Sequence, residues 1–119
     1  MDSAAITDHG VMYGVIDFYK ACKEEGIKPV LGCEIYVAPN SRFDKELTGG
    51  EDRYYHLVLL AENNIGYDNL MKIVSRGFTE GYYYKPRVDM ELLRECHEGI
   101  IALSACLAGE VQRYIQKGL

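Results

Sequence analysis

The sequence predicts an α/β fold with mostly parallel strands, and three observations carry that prediction. Apolar, β-branched runs alternate with amphipathic stretches of helical period, in the order β-α-β-(loop)-β-α-α-β-α. The run Tyr54 to Ala61 is apolar on both faces apart from His56, the pattern of a strand covered by helices on each side. The run Pro29 to Pro39 is bounded by prolines and rich in Val and Ile, which marks a buried central strand.

The elements follow in order. Ala4 to Thr7 reads as a short strand with Asp8-His9-Gly10 as the loop at its C-terminal end. A helix over Met12 to Glu25 carries the stripe Met12, Val15, Tyr19 and Cys22, and Gly26 stops it. In the central strand, Val30 to Ala38, alternation puts Val30, Gly32, Glu34, Tyr36 and Ala38 on one face. Leu31, Cys33, Ile35 and Val37 form the other, wholly apolar face, suited to packing under helices. Asn40 to Arg53 is polar, contains Gly49-Gly50 and lacks a period, so it reads as a surface loop. After the strand Tyr54 to Ala61 comes a helix, Gly66 to Gly77, with the stripe Tyr67, Leu70, Met71, Val74 and Phe78. Tyr82 to Arg87 is a loop, and Asp89 is placed to cap a short helix from Met90 to Cys96. A strand over Gly99 to Ser104 and a helix over Gly109 to Lys117, with Val111, Tyr114 and Ile115 inward, complete the chain. The apolar stripes, with Val30 and Leu31, are the expected core.

At 119 residues the chain is one domain or part of one. Its 48% hydrophobic and 26% charged residues are ordinary globular usage and argue against disorder. No apolar run approaches the length of a membrane span, and the opening residues do not read as a signal peptide. Cys22, Cys33, Cys96 and Cys106 lack C-x-x-C spacing, so they read as reduced thiols of a cytoplasmic protein. The net charge of −5 argues against a dedicated nucleic-acid-binding module.

One residue does not belong where it stands. A carboxylate in the middle of a buried strand is costly unless it is paired, hydrogen-bonded or bound to a metal, and Glu34 is such a carboxylate. Sites in parallel α/β folds gather at the C-terminal ends of strands. His9, Glu34 and Cys106 lie at or near such ends, while His56 falls near the start of its strand. Imidazole, carboxylate and thiolate are the donors that hold zinc and similar ions, and Asp8 can support a ligand from behind. Each also has an ordinary reading, as a loop histidine, an ion-paired acid, a core histidine or a small buried thiol. From the residues alone the result is an α/β domain with a possible metal site.

Thr7-Asp8-His9-Gly10, Gly26-Ile27-Lys28-Pro29, and Gly32 to Pro39 together resemble the PHP (polymerase and histidinol phosphatase) family. Tyr55-His56-Leu57, Tyr84 to Asp89 and Leu103 to Glu110 extend the resemblance over nearly the whole chain, and as a set they are similar to the branch at the N-terminus of bacterial replicative DNA polymerases. The resemblance implies a distorted, TIM-like (β/α)7 barrel with divalent metals, Zn or Mn, at the C-terminal ends of its strands. By position it makes His9, Glu34, His56 and Cys106 metal ligands, Glu34 bridging two ions. Cys106 stands where phosphatase-type relatives usually carry histidine, which favours the polymerase branch.

The family's opening H-x-H strand and closing D-x-H segment have no counterpart here, so residues 1–119 are expected to be a fragment, a partial barrel with an incomplete cluster. Catalytic residues for polymerisation, with their Mg²⁺, would lie outside it. For the parent polymerase the resemblance implies template-directed nucleotidyl transfer and, as partners, DNA, a proofreading exonuclease subunit and the sliding clamp, with no membrane. For the domain it leaves open 3′–5′ phosphoesterase chemistry or a structural brace that docks a separate exonuclease. A stand-alone PHP phosphoesterase is the remaining alternative. Lys85 and Arg87, beside three tyrosines, are weaker candidates for nucleic-acid contact.

Overall fold

The computed structural model describes residues 1–46 and 54–119. Among them are five strands and four helices: β1 (Ser3–His9), α1 (Val15–Glu24), β2 (Lys28–Val37), β3 (Tyr55–Ala61), α2 (Asn64–Thr79), β4 (Arg87–Val88), α3 (Met90–Glu95), β5 (Ile100–Leu103) and α4 (Glu110–Gln116). The loop expected over Asn40 to Arg53 is described only as far as Glu46, and the rest lies outside the described residues.

The strands form one open sheet in the order β1-β2-β3-β5, with β4 paired to β2 beyond the end of β1. This is an α/β fold, and a partial barrel is consistent with it. The strand directions correct the expectation of a parallel sheet around β3. β1 and β4 run parallel to β2, but β3 is antiparallel to both β2 and β5. Apolar residues on both faces report burial, not direction. β3 follows β2 in the chain and lies beside it with no described helix between them, whereas a parallel partner needs a crossover.

The alternation read from β2 organises the packing. Cys33, Ile35 and Val37 join Leu59 of β3, Leu70 and Ile73 of α2, Val88 of β4, and Leu92 and Cys96 of α3 in one buried cluster. Ile16 and Tyr19 of α1 line a cleft with Pro29 and Leu31 on the same face, and the ring of Tyr114 of α4 lies 6.4 Å from that of Tyr55 there. All four helices therefore cover one face of the sheet. Glu34, Tyr36, His9 and His56 belong to the other.

Two helical stripes are rotated from expectation. In α2 the buried residues are Gly66, Leu70, Ile73 and Gly77, while Met71 and Phe78 are each 39% exposed. Glycine at Gly66 and Gly77 lets the helix backbone come close to its neighbours, so the contact face follows small residues that a hydrophobicity count overlooks. In α4, Val111, Tyr114 and Ile115 are exposed rather than inward. Val30 and Leu31, assigned to the core, are only half-buried.

The helix ends follow side-chain capping. Asp89 Oδ1 accepts from Leu92 N at 3.0 Å at the start of α3, as its position predicts. Asn63 does the same for α2, accepting from Gly66 N at 2.9 Å.

Candidate metal centre

Register builds the centre. His9, the last residue of β1, is the direct partner of Glu34 in β2. Tyr36, two residues further along β2, is the partner of His56. Because β3 runs antiparallel, its first residues lie at the edge where β1 and β2 end. The position of His56 at the start of its strand is thus what brings it to the others.

Cys106 arrives on a tight turn after β5. Ala105 has φ 65°, Gly109 N donates to Cys106 O at 2.8 Å, and His56 N donates to Ala108 O at 3.0 Å, tying the turn to β3. The Cys106 Sγ lies 3.5 Å from His56 Nδ1 and accepts from Ala108 N at 3.4 Å.

Three of the four predicted residues come together, and His9 reaches the group through Glu34. His9 Nε2 is 2.9 Å from Glu34 Oε2, and His56 Nδ1 is 3.5 Å from Glu34 Oε1. Donor atoms of Glu34, His56 and Cys106 all lie within 4.8 Å of one another, a spacing at which they can hold a metal ion. Glu34 is only 9% exposed, yet its Oε2 makes no hydrogen bond among the described residues. The approach of His9 to Oε2 is close in distance but does not satisfy hydrogen-bond geometry. A buried carboxylate oxygen left in this state, facing imidazole and thiol, suits a divalent cation.

Neighbouring groups flank this cluster rather than join it, and Asp8, expected to support a ligand from behind, pairs with Cys33 on the helix-covered face. The Asp8 carboxylate accepts from Gly14 N at 3.1 Å, so it organises the approach to α1. Cys33 Sγ donates to Asp8 O and Val11 O on the helix-covered face, and burial pushes its thiol up to about 12, keeping it neutral. Tyr36 lies edge-on to His56 at 5.3 Å, and Tyr54 stacks on the same imidazole at 5.9 Å with 4° between planes. Burial, with the Tyr54 and Glu34 charges, raises the Tyr36 phenol above its ordinary range, so it remains protonated. Gly10 has φ +73°, and a Cβ there would come within 2.7 Å of the Tyr36 ring and 3.3 Å of Pro86. Only glycine lets the chain after His9 pass this close.

Of the two basic candidates, Arg87 is not displayed. It is fully buried, and its guanidinium donates to the carbonyls of Gly81 (3.1 Å), Arg42 (3.1 Å) and Asp44 (2.8 Å). Its adjacency to tyrosines in sequence suggested a surface patch, but the β4 pairing with β2 turns it inward. Lys85 is exposed, with Nζ 5.9 Å from the Tyr36 ring. His97 is exposed, its Nδ1 2.8 Å from Arg94 O.

Sequence reasoning missed the buried pair Arg42 and Asp89. Arg42 Nη1 donates to both Asp89 oxygens at 2.9 and 3.1 Å, and Arg42 also pairs with Glu80 at 3.0 Å. An isolated arginine in a polar loop carries no signal of this. Tyr36 and Tyr54 were nearer to legible, since alternation already put Tyr36 on the face of Glu34. The cavity of about 430 Å³ lined by Leu57, Leu59, Leu93, Ile100 and Val111 belongs to the helix-covered face.

A one-sided α/β sheet that gathers carboxylate, imidazole and thiol at one edge is what this sequence folds into, and the chain belongs to the PHP domain family, which matches residues 1–119. Over this span it is similar to the N-terminal region of the DNA polymerase III subunit alpha. It is 54% identical to that of Treponema pallidum over 118 residues, 98% of this chain and 10% of the relative. It is 49% identical to that of Thermus aquaticus over 112 residues, 93% of this chain and 9% of the relative. For Deinococcus radiodurans the identity is 50% over 117 residues, 96% of this chain and 9% of the relative. The chain thus spans about a tenth of the length of these curated relatives. No helix among the described residues is long and apolar enough to cross a membrane.

Proposed function

We propose that this chain is the PHP segment of a replicative DNA polymerase alpha subunit, and that His9, Glu34, His56 and Cys106 bind divalent metal there for 3′–5′ phosphodiester hydrolysis. The parent activity in this reading is template-directed DNA synthesis, with Mg²⁺ at a polymerase site outside these residues and with DNA, the exonuclease subunit and the sliding clamp as partners. Support for the parent comes from the similarity to DNA polymerase III alpha subunits. The observation that carries the metal reading is the buried Glu34 Oε2, without a hydrogen bond among the described residues and 2.9 Å from His9 Nε2.

Zn²⁺ or Mn²⁺ bound here would lower the pKa of a water and stabilise a leaving oxygen. The chain's own residues prepare that chemistry. Glu34 offers two oxygens from a rigid strand, one toward His9 and one toward His56, as a bridging carboxylate would. Tyr36 and Tyr54 hold the His56 ring in place. The Cys106 turn presents its sulfur to the same space.

Elemental analysis of the full-length polypeptide that carries this sequence tests the reading, with Glu34→Ala as the comparison. Bound zinc or manganese, lost in a folded Glu34→Ala protein together with hydrolysis of single-stranded DNA, is the expected result. A folded, metal-free wild type overturns the hydrolytic reading and leaves a brace that docks a separate exonuclease.

A further inference from the structure

The turn Tyr82 to Lys85 is built as an outpost beside the centre. Tyr84 has φ 63°, a region that L side chains rarely adopt, and Tyr83 N donates to Lys85 O at 3.0 Å to close the turn. Strain of this kind persists only where the surroundings over-determine it. Arg87 does so here: its backbone N and Nε both reach Gly81 O, and its guanidinium lies 5.1 Å from the Tyr83 ring. At the other foot, Pro86 packs beside Gly10, next to His9.

The turn therefore holds two kinds of group out to solvent at a fixed place. Tyr82 is 51% and Tyr84 60% exposed. Lys85 is exposed and has no carboxylate within ion-pair distance among the described residues, although acidic residues outnumber basic ones by 18 to 13 in the chain. Its Nζ lies 5.9 Å from the Tyr36 ring, which is 5.3 Å from the His56 ring.

We propose that the Tyr82–Lys85 turn is a contact for single-stranded DNA at the rim of the His9–Glu34–His56–Cys106 centre, Lys85 meeting a backbone phosphate and an exposed tyrosine stacking on a base. This deepens, and for its substrate rests on, the phosphodiesterase reading above. A cation interleaved with aromatic faces is the recognition chemistry of unpaired strands, whose bases are free to stack; a duplex hides those faces. Arg87 acts as the buried anchor of the turn, and Lys85 acts as a positioning residue for substrate.

The test uses the full-length polypeptide and an oligothymidylate carrying 5-iodouracil. Photocrosslinks are mapped by mass spectrometry, and metal content is measured on the same preparations. Crosslinks to Tyr82 or Tyr84 are expected, reduced about tenfold by Lys85→Ala, retained by Lys85→Arg, and weakening with salt by a slope about one unit smaller once Lys85 is removed. Tyr84→Gly, which relieves the backbone and removes the ring, should keep the fold and lose the Tyr84 crosslink. Crosslinks absent from this turn, or unchanged in Lys85→Ala, overturn the proposal even if metal is bound. A metal-free protein that still crosslinks here refutes the hydrolytic reading while sustaining the DNA contact.

Discussion

Tyr36 and His56 stand directly opposite one another across the antiparallel pair of β2 and β3, their rings edge-to-face at 5.3 Å. This pairing places the imidazole one step along the sheet from Glu34 and keeps it on the face that none of the described helices covers. It is the relationship on which the geometry of the whole cluster depends, and it follows from the reversed direction of β3.

The cysteines should separate by chemistry. Cys106 is exposed, whereas Cys33 is fully buried and its thiol is pushed up to about 12. Iodoacetamide at pH 8 should therefore label Cys106 in the folded protein and label Cys33 only after denaturation. Raising the pH from 8 to 10 should leave Cys33 unlabelled, because its folded pKa lies above that window. Added Zn²⁺ should slow labelling of Cys106 if the thiol is a ligand. Peptide mass mapping reads all three outcomes.

Arg42→Ala should destabilise the fold by about 3–5 kcal/mol, since it leaves the Asp89 carboxylate buried without its ion-pair partner. Asp89 also caps α3, so the same variant should loosen that helix. Urea denaturation with hydrogen exchange at Leu92 and Leu93 measures both effects. Surface lysine variants such as Lys20→Ala serve as the neutral reference.

Stability should fall in acid partly through Glu80. Hydrogen bonds from Arg76 at 2.5 Å and from Arg42 hold its carboxyl below the usual range. A depressed folded pKa means the unfolded chain takes up the proton first. The contribution is then complete above the unfolded value of about 4.3 and is lost as pH drops through the folded value. Thermal midpoints measured from pH 7 down to pH 3 should decline less steeply in Glu80→Gln than in the wild type.

The two rotated stripes predict opposite outcomes for similar truncations. Leu70→Ala removes a fully buried side chain and should cost about 2–5 kcal/mol. Ile115→Ala touches a residue that is 67% exposed and should change stability by no more than about 0.5 kcal/mol. If Ile115→Ala proved as damaging as Leu70→Ala, the outward face of α4 would have to be covered in solution.

Much of the architecture was legible because it is encoded locally. Alternation along β2 assigned Cys33, Ile35 and Val37 to the helix-packed side and Glu34 and Tyr36 to the other, and the structure keeps that division. Asp89 announced its helix, and residue type and position near element ends marked His9, Glu34, His56 and Cys106 as candidates, while only the family resemblance made them a set of metal ligands. Neither alternation nor capping needs a distant partner to be recognised.

What the sequence by itself determined, then, is the α/β class, the face on which the core forms, and the anomaly of a carboxylate in a buried strand. Only the tertiary structure decided the direction of β3, the contact face of α2, the inward turn of Arg87, and the burial of Arg42 on Asp89. Each of these depends on which remote segment lies alongside. A strand's apolar pattern is the same in either direction, a glycine's close approach has no hydrophobic signature, and an arginine's charge is satisfied by whichever carboxylate or carbonyls the fold brings within hydrogen-bond distance.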